Sequence, residues 1–427
     1  MPSRRVVITG LGTFTALGPD LIRDFWQGLL SGRSGISFID LFDTSGFRVR
    51  FGGQIHNFNP EAYIEPRLTR RLDRYAQFAL IAALSALKDS GLEFVRTGDD
   101  QPGFCLPKED PDRVGVVIGT GIGGLSEYEE QHSRLLKMGP DRISPFTIPK
   151  LMANAAAGQI SIYLRLTGPN IAVATACASS AHAIGEAFRM IQRGEADVIL
   201  AGGSEATITP MGLGGFIAAR ALSERNDAPE KASRPFDRDR DGFVLAEGAG
   251  VLVLEEESRA RRRGANIYAE LLGYGATADA YNITAPHPDG AGAAKAMRKA
   301  LEDARINPDQ VQYINAHGTS TPLGDAVETK AIKAVFGDHA YRLAISSTKS
   351  MLGHTLGASG GIELIATALS IKYGVVHPTI NYENPDPDCD LDYVPNTARE
   401  MPVRYAISNS FGFGGHNACI LLGAYTG

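Results

Sequence analysis

Cysteine and tryptophan are scarce in this chain, and no apolar run is long enough to cross a membrane. The 427 residues include four cysteines and one tryptophan. The cysteines are Cys105, Cys177, Cys389 and Cys419. Their wide separation, without CxxC spacing, argues against a zinc site or a disulfide framework and favours a reducing compartment. The apolar stretches 78–87 and 364–371 are too short to span a bilayer, and no signal-peptide segment precedes the first predicted strand. We therefore expect a cytoplasmic protein without a membrane role.

Positive charge is also not in excess. The 42 lysines and arginines are outnumbered by 48 aspartates and glutamates, which leaves a net charge of -6. This balance argues against nucleic acid or a membrane surface as a partner, although it does not exclude a local basic patch. Glycine, in contrast, is abundant at 48 residues and clusters at 119–124 and 412–415. Such clusters indicate tight turns and close approach of backbone segments.

Strand-like apolar runs alternate with segments of helical periodicity along the whole chain. Strands are predicted near 5–12, 113–119 and 196–203, and helices over 20–30 and 72–89. After a basic segment that ends near residue 264, a similar order of elements begins again. Alternating strands and helices joined by glycine turns predict an α/β protein with parallel sheets covered by helices on both faces. The repeated order suggests a duplication with halves 1–262 and 263–427.

The segment 175–180, Thr-Ala-Cys-Ala-Ser-Ser, lies between a buried strand predicted at 171–174 and a helix predicted over 178–192. Cys177 is therefore expected on a strand-to-helix turn, near unpaired N–H groups and the positive end of the helix dipole. Both features favour the thiolate, so the thiol pKa is expected to fall below about 8.5. The alternative is a small cysteine buried in the core.

Three further loops carry polar residues where predicted strands end. They contain His317 in 315–322, Lys349 and His354 in 346–360, and a glycine-flanked aromatic in 409–417. Ligand sites in open α/β sheets form at such positions. Each residue alone has an ordinary structural explanation, such as a hydrogen-bonded histidine or a solvated lysine. Their combination with a thiol on a turn predicts an active site with a cysteine nucleophile.

These motifs resemble those of the β-ketoacyl-acyl-carrier-protein synthases. The matching stretches are 173–180, 234–243, 246–250, 315–321, 349–360 and 409–415. The resemblance extends over about 5–422, and it is strongest to the stand-alone elongating condensing enzymes of type II fatty-acid synthesis. It implies a thiolase-like fold, a duplicated α-β-α-β-α layered architecture with two mixed sheets, and a homodimer. The N-terminal half would carry the nucleophile and the C-terminal half the two histidines.

The resemblance also implies a reaction, a decarboxylative Claisen condensation without a cofactor. Cys177 would accept an acyl group from acyl carrier protein as a thioester, and the acyl group would then pass to a carbanion derived from malonyl-acyl carrier protein. The backbone N–H groups of Cys177 and Phe413 would bind the oxyanion. Neutral imidazoles of His317 and His354 would donate hydrogen bonds to the enolate oxygen. Lys349 would order this pocket, and Glu328 is expected to be its partner.

Further residues receive roles from their positions in the family motifs. Pantetheine binding would involve Thr284, Thr319 and Thr321. The gating loop of the acyl chain would contain Phe411 and Phe413. The acyl pocket would be lined by Ile122 and Phe216, for which core packing is the structural alternative. Docking of the acidic carrier protein would use Arg67, Arg70, Arg71 and Arg220, for which a solvated helix face is the alternative. A cation site would use Asn315, Glu363 and Asn409.

Two features differ from the family pattern, and two other functions share much of it. His416 stands where many relatives carry threonine; it would lie near the site without a catalytic role. The segment 93–111 is longer than expected and is predicted to be peripheral. A ketosynthase of a polyketide pathway would share the Cys–His–His set. A non-catalytic chain-length scaffold subunit would normally lack the cysteine, so Cys177 argues against that alternative.

Overall fold

The computed structural model describes residues 4–98 and 102–427, and a mixed sheet of ten strands forms its centre. Residues 1–3 of the predicted N-terminal half and residues 99–101 of the 93–111 segment lie outside the described residues. The strands of the sheet are β1 Val6–Thr15, β2 Val114–Gly119, β3 Asn170–Val173, β4 Val198–Glu205, β5 Gly248–Glu256, β6 Ala269–Ala278, β7 Tyr313–Asn315, β8 Ala344–Ser346, β9 Tyr405–Gly412 and β10 His416–Gly423.

The strand order shows the duplication directly. Across the sheet the order is β8-β7-β9-β10-β6-β1-β5-β4-β2-β3. Read inward from each edge, the two sets of five strands have the same relative order, and β1 and β6 meet in the middle. These two strands pair antiparallel, from Val6 opposite Leu271 to Ile8 opposite Ala269. The two predicted sheets are therefore continuous at this junction, because each half covers the free edge of the other half's first strand. The strands within each half are not all parallel as the alternation predicted, since β5 pairs antiparallel with β4 and β10 pairs antiparallel with β9.

Helices cover the outer faces of this sheet, and two further helices pack between its two halves. The longer ones are α1 Arg74–Asp89, α2 Leu125–Met138, α3 Ala155–Leu164, α4 Ser179–Gln192, α5 Pro210–Ala218, α6 Ala291–Ala304, α7 Pro322–Phe336 and α8 Ser359–Tyr373. Shorter helical segments are Leu21–Trp26, Gln27–Leu30, Pro66–Thr69, Thr147–Leu151, Glu257–Arg262 and Lys349–Leu352. Short strand pairs are Ser37–Phe38 with Phe51–Gly52, Val95–Arg96 with Phe104–Cys105, and Val375–Val376 with Arg399–Glu400.

The largest apolar core lies between the two halves. There α4 contributes Ile184 and Phe188, and α8 contributes Ile365 and Leu369, all of them fully or almost fully buried. A second core lies under α1 and α3, and a third lies under α6 and α7. The layers are thus helix, sheet, helix, sheet, helix, as the resemblance implied.

The two central helices begin in the same way, which positions the site. Each follows a Thr-x-x-Ala-Ser sequence, and in each a single 3₁₀ turn, Ala176–Ala178 or Leu356–Ala358, precedes the helix. Ala176 and Leu356 have positive φ angles of 52° and 46°, a conformation that side chains with a Cβ rarely adopt. Cys177 and Gly357 therefore occupy corresponding positions at the tips of α4 and α8.

The described part of the 93–111 segment lies at the periphery, as predicted. Its short strand pair packs against α3, where the Phe104 and Tyr163 rings lie 5.6 Å apart. Glu109 forms an ion pair with Arg259 of the basic segment. Among the described residues, no helix combines the length and apolar character needed to cross a membrane.

Candidate active site

A cavity of about 470 Å³ lies at the tip of α4 and is lined by residues of both halves. Most of the residues singled out from the sequence line it. They are Ile122, Cys177, Phe216, Thr284, His317, Thr319, Thr321, Glu328, His354, Phe411 and Phe413. Strands β7 and β9 end at the same edge of the duplicated sheet at which the turns before α4 and α8 lie. The histidines and the thiol therefore reach one cavity.

Cys177 lies in the 3₁₀ turn that precedes α4, and 8% of its surface is exposed. The Thr175 N–H donates to Ser179 Oγ at 2.9 Å, which closes the turn. The end of β9 presses against it, since a Cβ on Gly412 would lie 2.8 Å from Thr175 O and 3.0 Å from Cys177 N. Glycine at this position thus lets the Phe413 N–H reach the sulfur alongside the N–H of Cys177 itself. The two donors predicted for the oxyanion converge on the nucleophile.

The thiol pKa shifts in the direction opposite to the prediction. Burial raises the pKa of Cys177 to about 11, and this effect exceeds the lowering by the Phe413 N–H and by the charge of Lys349. The helix terminus favours the thiolate as expected, but the enclosure of the sulfur by the other half of the chain has the larger effect. A buried thiol keeps its proton because the thiolate would lose its hydration.

His317 is held from two sides. The Glu328 carboxylate accepts the backbone N–H groups of His317 at 2.9 Å and of Gly318 at 2.8 Å. Lys349 Nζ donates to the His317 carbonyl at 2.7 Å and lies 3.4 Å from its Nδ1. An ammonium group has only donors, so Nδ1 must accept and Nε2 carries the proton.

His354 is held in the same tautomer by different partners. Its Nδ1 accepts the Leu356 N–H at 3.2 Å and lies 3.0 Å from Ser359 Oγ. Its ring stands edge-on to the ring of His317, with 5.3 Å between the centroids. Burial, followed by the charge of Lys349, lowers the pKa of both histidines well below the ordinary value. Both imidazoles are therefore neutral N–H donors, as the proposed enolate chemistry requires.

The partner of Lys349 differs from the expected one. Lys349 is almost fully buried and forms its ion pair with Glu363 of α8. Glu328, the expected partner, instead supports the backbone of the His317 loop and accepts from Asn409 Nδ2 at 3.2 Å. Burial raises the pKa of Glu363 to about 7 against the lowering by Lys349. The prediction failed because a helix register decides which carboxylate faces the ammonium.

The cation site predicted from three side chains is not assembled as expected. Asn315 Oδ1 and Glu363 Oε2 are buried without a hydrogen-bond partner, which suits a cation. Asn409 is committed elsewhere, since its Oδ1 accepts from Cys419 Sγ at 3.1 Å and its amide faces Glu328. Across the described residues, no group of three or more His, Cys, Asp or Glu side chains is arranged to hold a metal ion.

The threonine loop lies at the other end of the cavity. Thr319 and Thr321 hydroxyls lie 3.0 Å apart, and Thr321 also caps α7. The 234–243 motif supports this loop, because Arg234 N donates to Ser320 Oγ at 2.9 Å and Arg240 Nε donates to the Thr321 carbonyl at 3.0 Å. Thr284 is exposed where the cavity opens.

The glycine loop after β9 is fastened to a neighbouring loop. Gly414 N donates to the Ile283 carbonyl at 2.6 Å, and Asp279 N donates to the Gly415 carbonyl at 2.9 Å. Asn417 Nδ2 donates to Asp279 Oδ1 at 2.8 Å. These contacts hold Phe413, which is 38% exposed, over the entrance.

His416 lies behind this loop, as expected, and a second histidine unnoticed in the sequence is beside it. The rings of His416 and His182 are 6.3 Å apart, and His182 Nδ1 lies 2.7 Å from Thr175 Oγ1. Burial lowers the pKa of His182 to about 4. Neither histidine lines the cavity, so this pair supports the turn from behind.

The arginines predicted for docking are all exposed but occupy two places. Arg220 lies between Ala219 and Ala221, which line the cavity. The group Arg67, Arg70 and Arg71 lies on and after a short helix outside the lining, and Arg71 covers the Phe146 ring at 5.3 Å.

Sequence reasoning missed two residues that contact the catalytic loops. Phe243 packs edge-on against His354 at 5.2 Å and against the Phe216 ring at 5.3 Å. Glu205, at the end of β4, is fully buried and accepts hydrogen bonds from the Ile122 turn and from Gly357. A carboxylate two residues after the glycine pair 202–203, at the end of a buried apolar strand, was the available signal for Glu205.

Two family models match most of the chain. Residues 3–260 match the model described as Beta-ketoacyl synthase, N-terminal domain, and residues 268–383 match the C-terminal domain of the same description.

Proteins named 3-oxoacyl-[acyl-carrier-protein] synthase 2 are similar over the full length. The one from Synechocystis sp. is 51% identical over 425 residues, covering 100% of this chain and 99% of the relative. The one from Coxiella burnetii is 50% identical over 422 residues, covering 99% of each. Among solved structures, a type II polyketide ketosynthase in complex with its acyl-carrier protein has a TM-score of 0.90 and 38% identity, with 99% of this chain and 100% of that chain covered.

Proposed function

This chain belongs to the beta-ketoacyl synthase family, and on that premise we propose how it acts as a 3-oxoacyl-[acyl-carrier-protein] synthase that elongates fatty acids. The observation that carries the proposal is the convergence of the Cys177 thiol, from the half 1–262, with His317 and His354, from the half 263–427, in one cavity. No cofactor enters the reaction.

The first step transfers an acyl group to Cys177. The sulfur attacks the carbonyl carbon of an acyl thioester on the carrier, and the pantetheine sulfur leaves. With a thiol pKa near 11, about one cysteine in 10⁴ is ionised at pH 7, so the proton leaves as the new C–S bond forms and passes to the departing sulfur. The N–H groups of Cys177 and Phe413 bind the oxyanion of the tetrahedral intermediate.

The second step uses malonyl-acyl carrier protein. Loss of CO₂ leaves an enolate whose oxygen receives the Nε2–H groups of His317 and His354. The enolate carbon then attacks the acyl-Cys177 carbonyl, and the chain grows by two carbons. The cysteine leaves as a thiolate, which takes a proton from water and so regenerates the thiol. Because both histidines are neutral, they donate hydrogen bonds to the developing charge without transferring a proton to the enolate. Lys349, paired with Glu363, keeps Nδ1 of His317 unprotonated, and its charge lowers the pKa of both histidines.

The carrier arm would bind along the cavity from its mouth to the thiol. Thr284, Thr319 and Thr321 supply hydroxyl groups for the pantetheine amides, while Phe411 and Phe413 gate the acyl chain. Ile122 and Phe216 also line the cavity and would contact this chain. The solved ketosynthase of similar fold is bound to an acyl-carrier protein, which supports the same partner here. The exposed Arg220 at the mouth and the group Arg67, Arg70 and Arg71 offer positive charge to an acidic carrier.

We assign a homodimer to the edge of the sheet. Strand β3 is the last strand, and Ile171 on it is 43% exposed. Exposed apolar side chains flank it, namely Ile122, Ile148, Met152 and Ile162. An unpaired apolar edge of this kind fits pairing with a second copy of the chain. All four cysteines are free, which fits a cytoplasmic location.

Intact-mass analysis after mixing with acyl-acyl carrier protein tests the function. We expect the mass of one acyl group on the enzyme and none on Cys177→Ala. An unmodified enzyme with every acyl donor would support the scaffold alternative. The polyketide alternative is favoured by the fold match at 38% identity, yet the synthases of 50–51% identity favour fatty acids. A chain-length series with malonyl-acyl carrier protein distinguishes the two, since a fatty-acid enzyme extends saturated chains.

A further inference from the structure

Glu205 is a buried carboxylate beside the site to which the mechanism above gives no role. It is the last residue of β4 and is completely buried. Its Oε2 accepts the backbone N–H groups of Gly121 at 2.7 Å and Gly357 at 2.9 Å. Its Oε1 accepts the Ile122 N–H at 3.2 Å and the Thr120 hydroxyl at 3.0 Å. One side chain therefore receives four donors from two loops that are far apart in sequence.

The two loops serve different parts of the reaction. Gly121 and Ile122 form the turn after β2 that lines the acyl end of the cavity, whereas Gly357 lies three residues after His354. They also touch each other, since a Cβ on Gly357 would lie 2.2 Å from Gly121 N and 2.7 Å from Glu205 Oε2. The carboxylate thus connects the acyl-pocket turn to the histidine loop through hydrogen bonds to both.

The duplication places a corresponding contact between a strand end and a helix turn in the other half of the chain. Glu205 ends β4 and Gly412 ends β9, the corresponding strand of the other half, and Gly357 corresponds to Cys177. At the nucleophile the strand end brings the Phe413 N–H toward the thiol and leaves room for an acyl oxygen. In the other half, the corresponding turn donates its N–H to the Glu205 carboxylate. The Glu205 carboxylate therefore occupies, beside Gly357, the position that the substrate oxygen would take beside Cys177.

We propose that Glu205 is a positioning residue that fixes the acyl-pocket turn at Ile122 against the loop carrying His354. The proposal rests on the synthase function above. Glu205 also places a negative charge near the thiol, where it contributes to the raised pKa of Cys177. Its own pKa is raised, because burial outweighs the lowering by the four donors, each of which favours the carboxylate. Loss of the residue is therefore expected to change both acyl selectivity and thiol ionisation.

The Glu205→Gln variant distinguishes the contribution of the acyl-pocket turn from that of the histidine loop. A carboxamide has one oxygen, so its NH₂ group must face either the Gly121 and Gly357 donors or the Ile122 and Thr120 donors. A hydroxyl can turn to accept, whereas an N–H cannot, so the NH₂ group faces Thr120 and only the Ile122 hydrogen bond is lost. We expect the ratio of kcat/KM for long and short acyl-acyl carrier proteins to change by about 2- to 10-fold, as for one hydrogen bond. Decarboxylation of malonyl-acyl carrier protein should change less.

Glu205→Ala removes all four contacts and should slow decarboxylation as well as altering selectivity. Both variants remove the charge, so the alkylation of Cys177 by iodoacetamide should reach half its maximal rate at a lower pH than in the wild type. Thr120→Val keeps the charge and removes one donor; it should alter selectivity and leave the alkylation profile in place. If the alanine variant does not fold, the glutamine and Thr120→Val variants still decide the question.

Glu255→Gln is the matched control. Glu255 is a fully buried carboxylate on β5, but it lies opposite Val198 at the far end of the β4–β5 pair, where Arg263 holds it. Its loss should lower thermal stability without changing selectivity or the alkylation profile.

The proposal is overturned if Glu205→Gln, folded by circular dichroism, keeps both the wild-type selectivity ratio and the wild-type alkylation profile. Alkylation needs no carrier protein, so it tests the charge of Glu205 even if the wild-type enzyme accepts no acyl group. In that event the proposed function fails on its own.

Discussion

Replacing Gly412 by alanine tests the oxyanion site while the nucleophile and both histidines keep their side chains. The added Cβ would lie 2.8 Å from Thr175 O and 3.0 Å from Cys177 N, whereas ordinary contacts begin near 3.4 Å. The end of β9 must therefore retreat by about 0.6 Å from the turn. A donor at about 3.0 Å from the oxyanion would then stand at about 3.6 Å, which is no longer a hydrogen bond.

Loss of one such donor lowers the catalytic rate by about 10²- to 10³-fold, and the crowding destabilises the fold by about 1–3 kcal/mol. The assay is the single-turnover rate of acyl transfer to Cys177, followed by intact mass after quenching. Decarboxylation of malonyl-acyl carrier protein, measured as released CO₂, should fall less because its oxygen binds the two imidazoles.

Gly423→Ala is the control for this experiment. Gly423 ends β10 away from the cavity, and its added Cβ would meet the end of the flexible Leu272 side chain at 2.5 Å. We expect a modest loss of stability and an unchanged acyl-transfer rate. A folded Gly412→Ala enzyme that acylates at the wild-type rate would refute the assignment of the Phe413 N–H to the oxyanion.

Three further outcomes follow from the charges and surfaces described above. The ring NMR signals of His317 and His354 should stay those of neutral imidazoles as the pH falls from about 8 to about 6, because burial keeps the pKa of both histidines well below the ordinary value of about 6.5. Ring signals are the measure because Glu363, whose pKa burial raises to about 7, titrates in this range and would change the decarboxylation rate without protonating either imidazole. A one-proton change centred near 6.5 in either ring would contradict neutral donors. Charge reversal at Arg70 and Arg71 should raise KM for acyl-acyl carrier protein and spare the alkylation of Cys177; an unchanged KM at low salt would remove these arginines from the docking surface. Ile171→Glu should convert the dimer to a monomer in analytical ultracentrifugation, whereas a retained dimer would place the interface elsewhere.

The fold and the catalytic set were accessible from sequence because their signals are local. Apolar runs that end in glycine, as at 113–119, predict strands wherever they lie, and helix periodicity identifies α4 within one residue of its observed start. The nucleophile and both histidines lie on motifs that follow β3, β7 and β8. These strands run parallel to their neighbours in the sheet, so the motifs meet at one edge and share a cavity.

The errors concern residues whose role depends on partners distant in sequence. Lys349 pairs with Glu363 and not with Glu328, because the register of α8 against the Lys349 turn decides which carboxylate faces the ammonium. Asn409 turns toward Cys419 on the neighbouring strand, which no local pattern encodes. Glu205 escaped notice because its four donors come from segments more than 80 residues away along the chain.

By itself, the sequence determined the alternation of strands and helices, the duplication, and the residues able to act as nucleophile and hydrogen-bond donors, because these depend on side-chain chemistry and short-range periodicity. Only the tertiary structure decided the ionisation of those residues. Packing one half over the tip of α4 withdraws water from the site, which raises the pKa of Cys177 and lowers that of both histidines. Desolvation depends on everything that surrounds a group, and no segment of the chain carries that information alone.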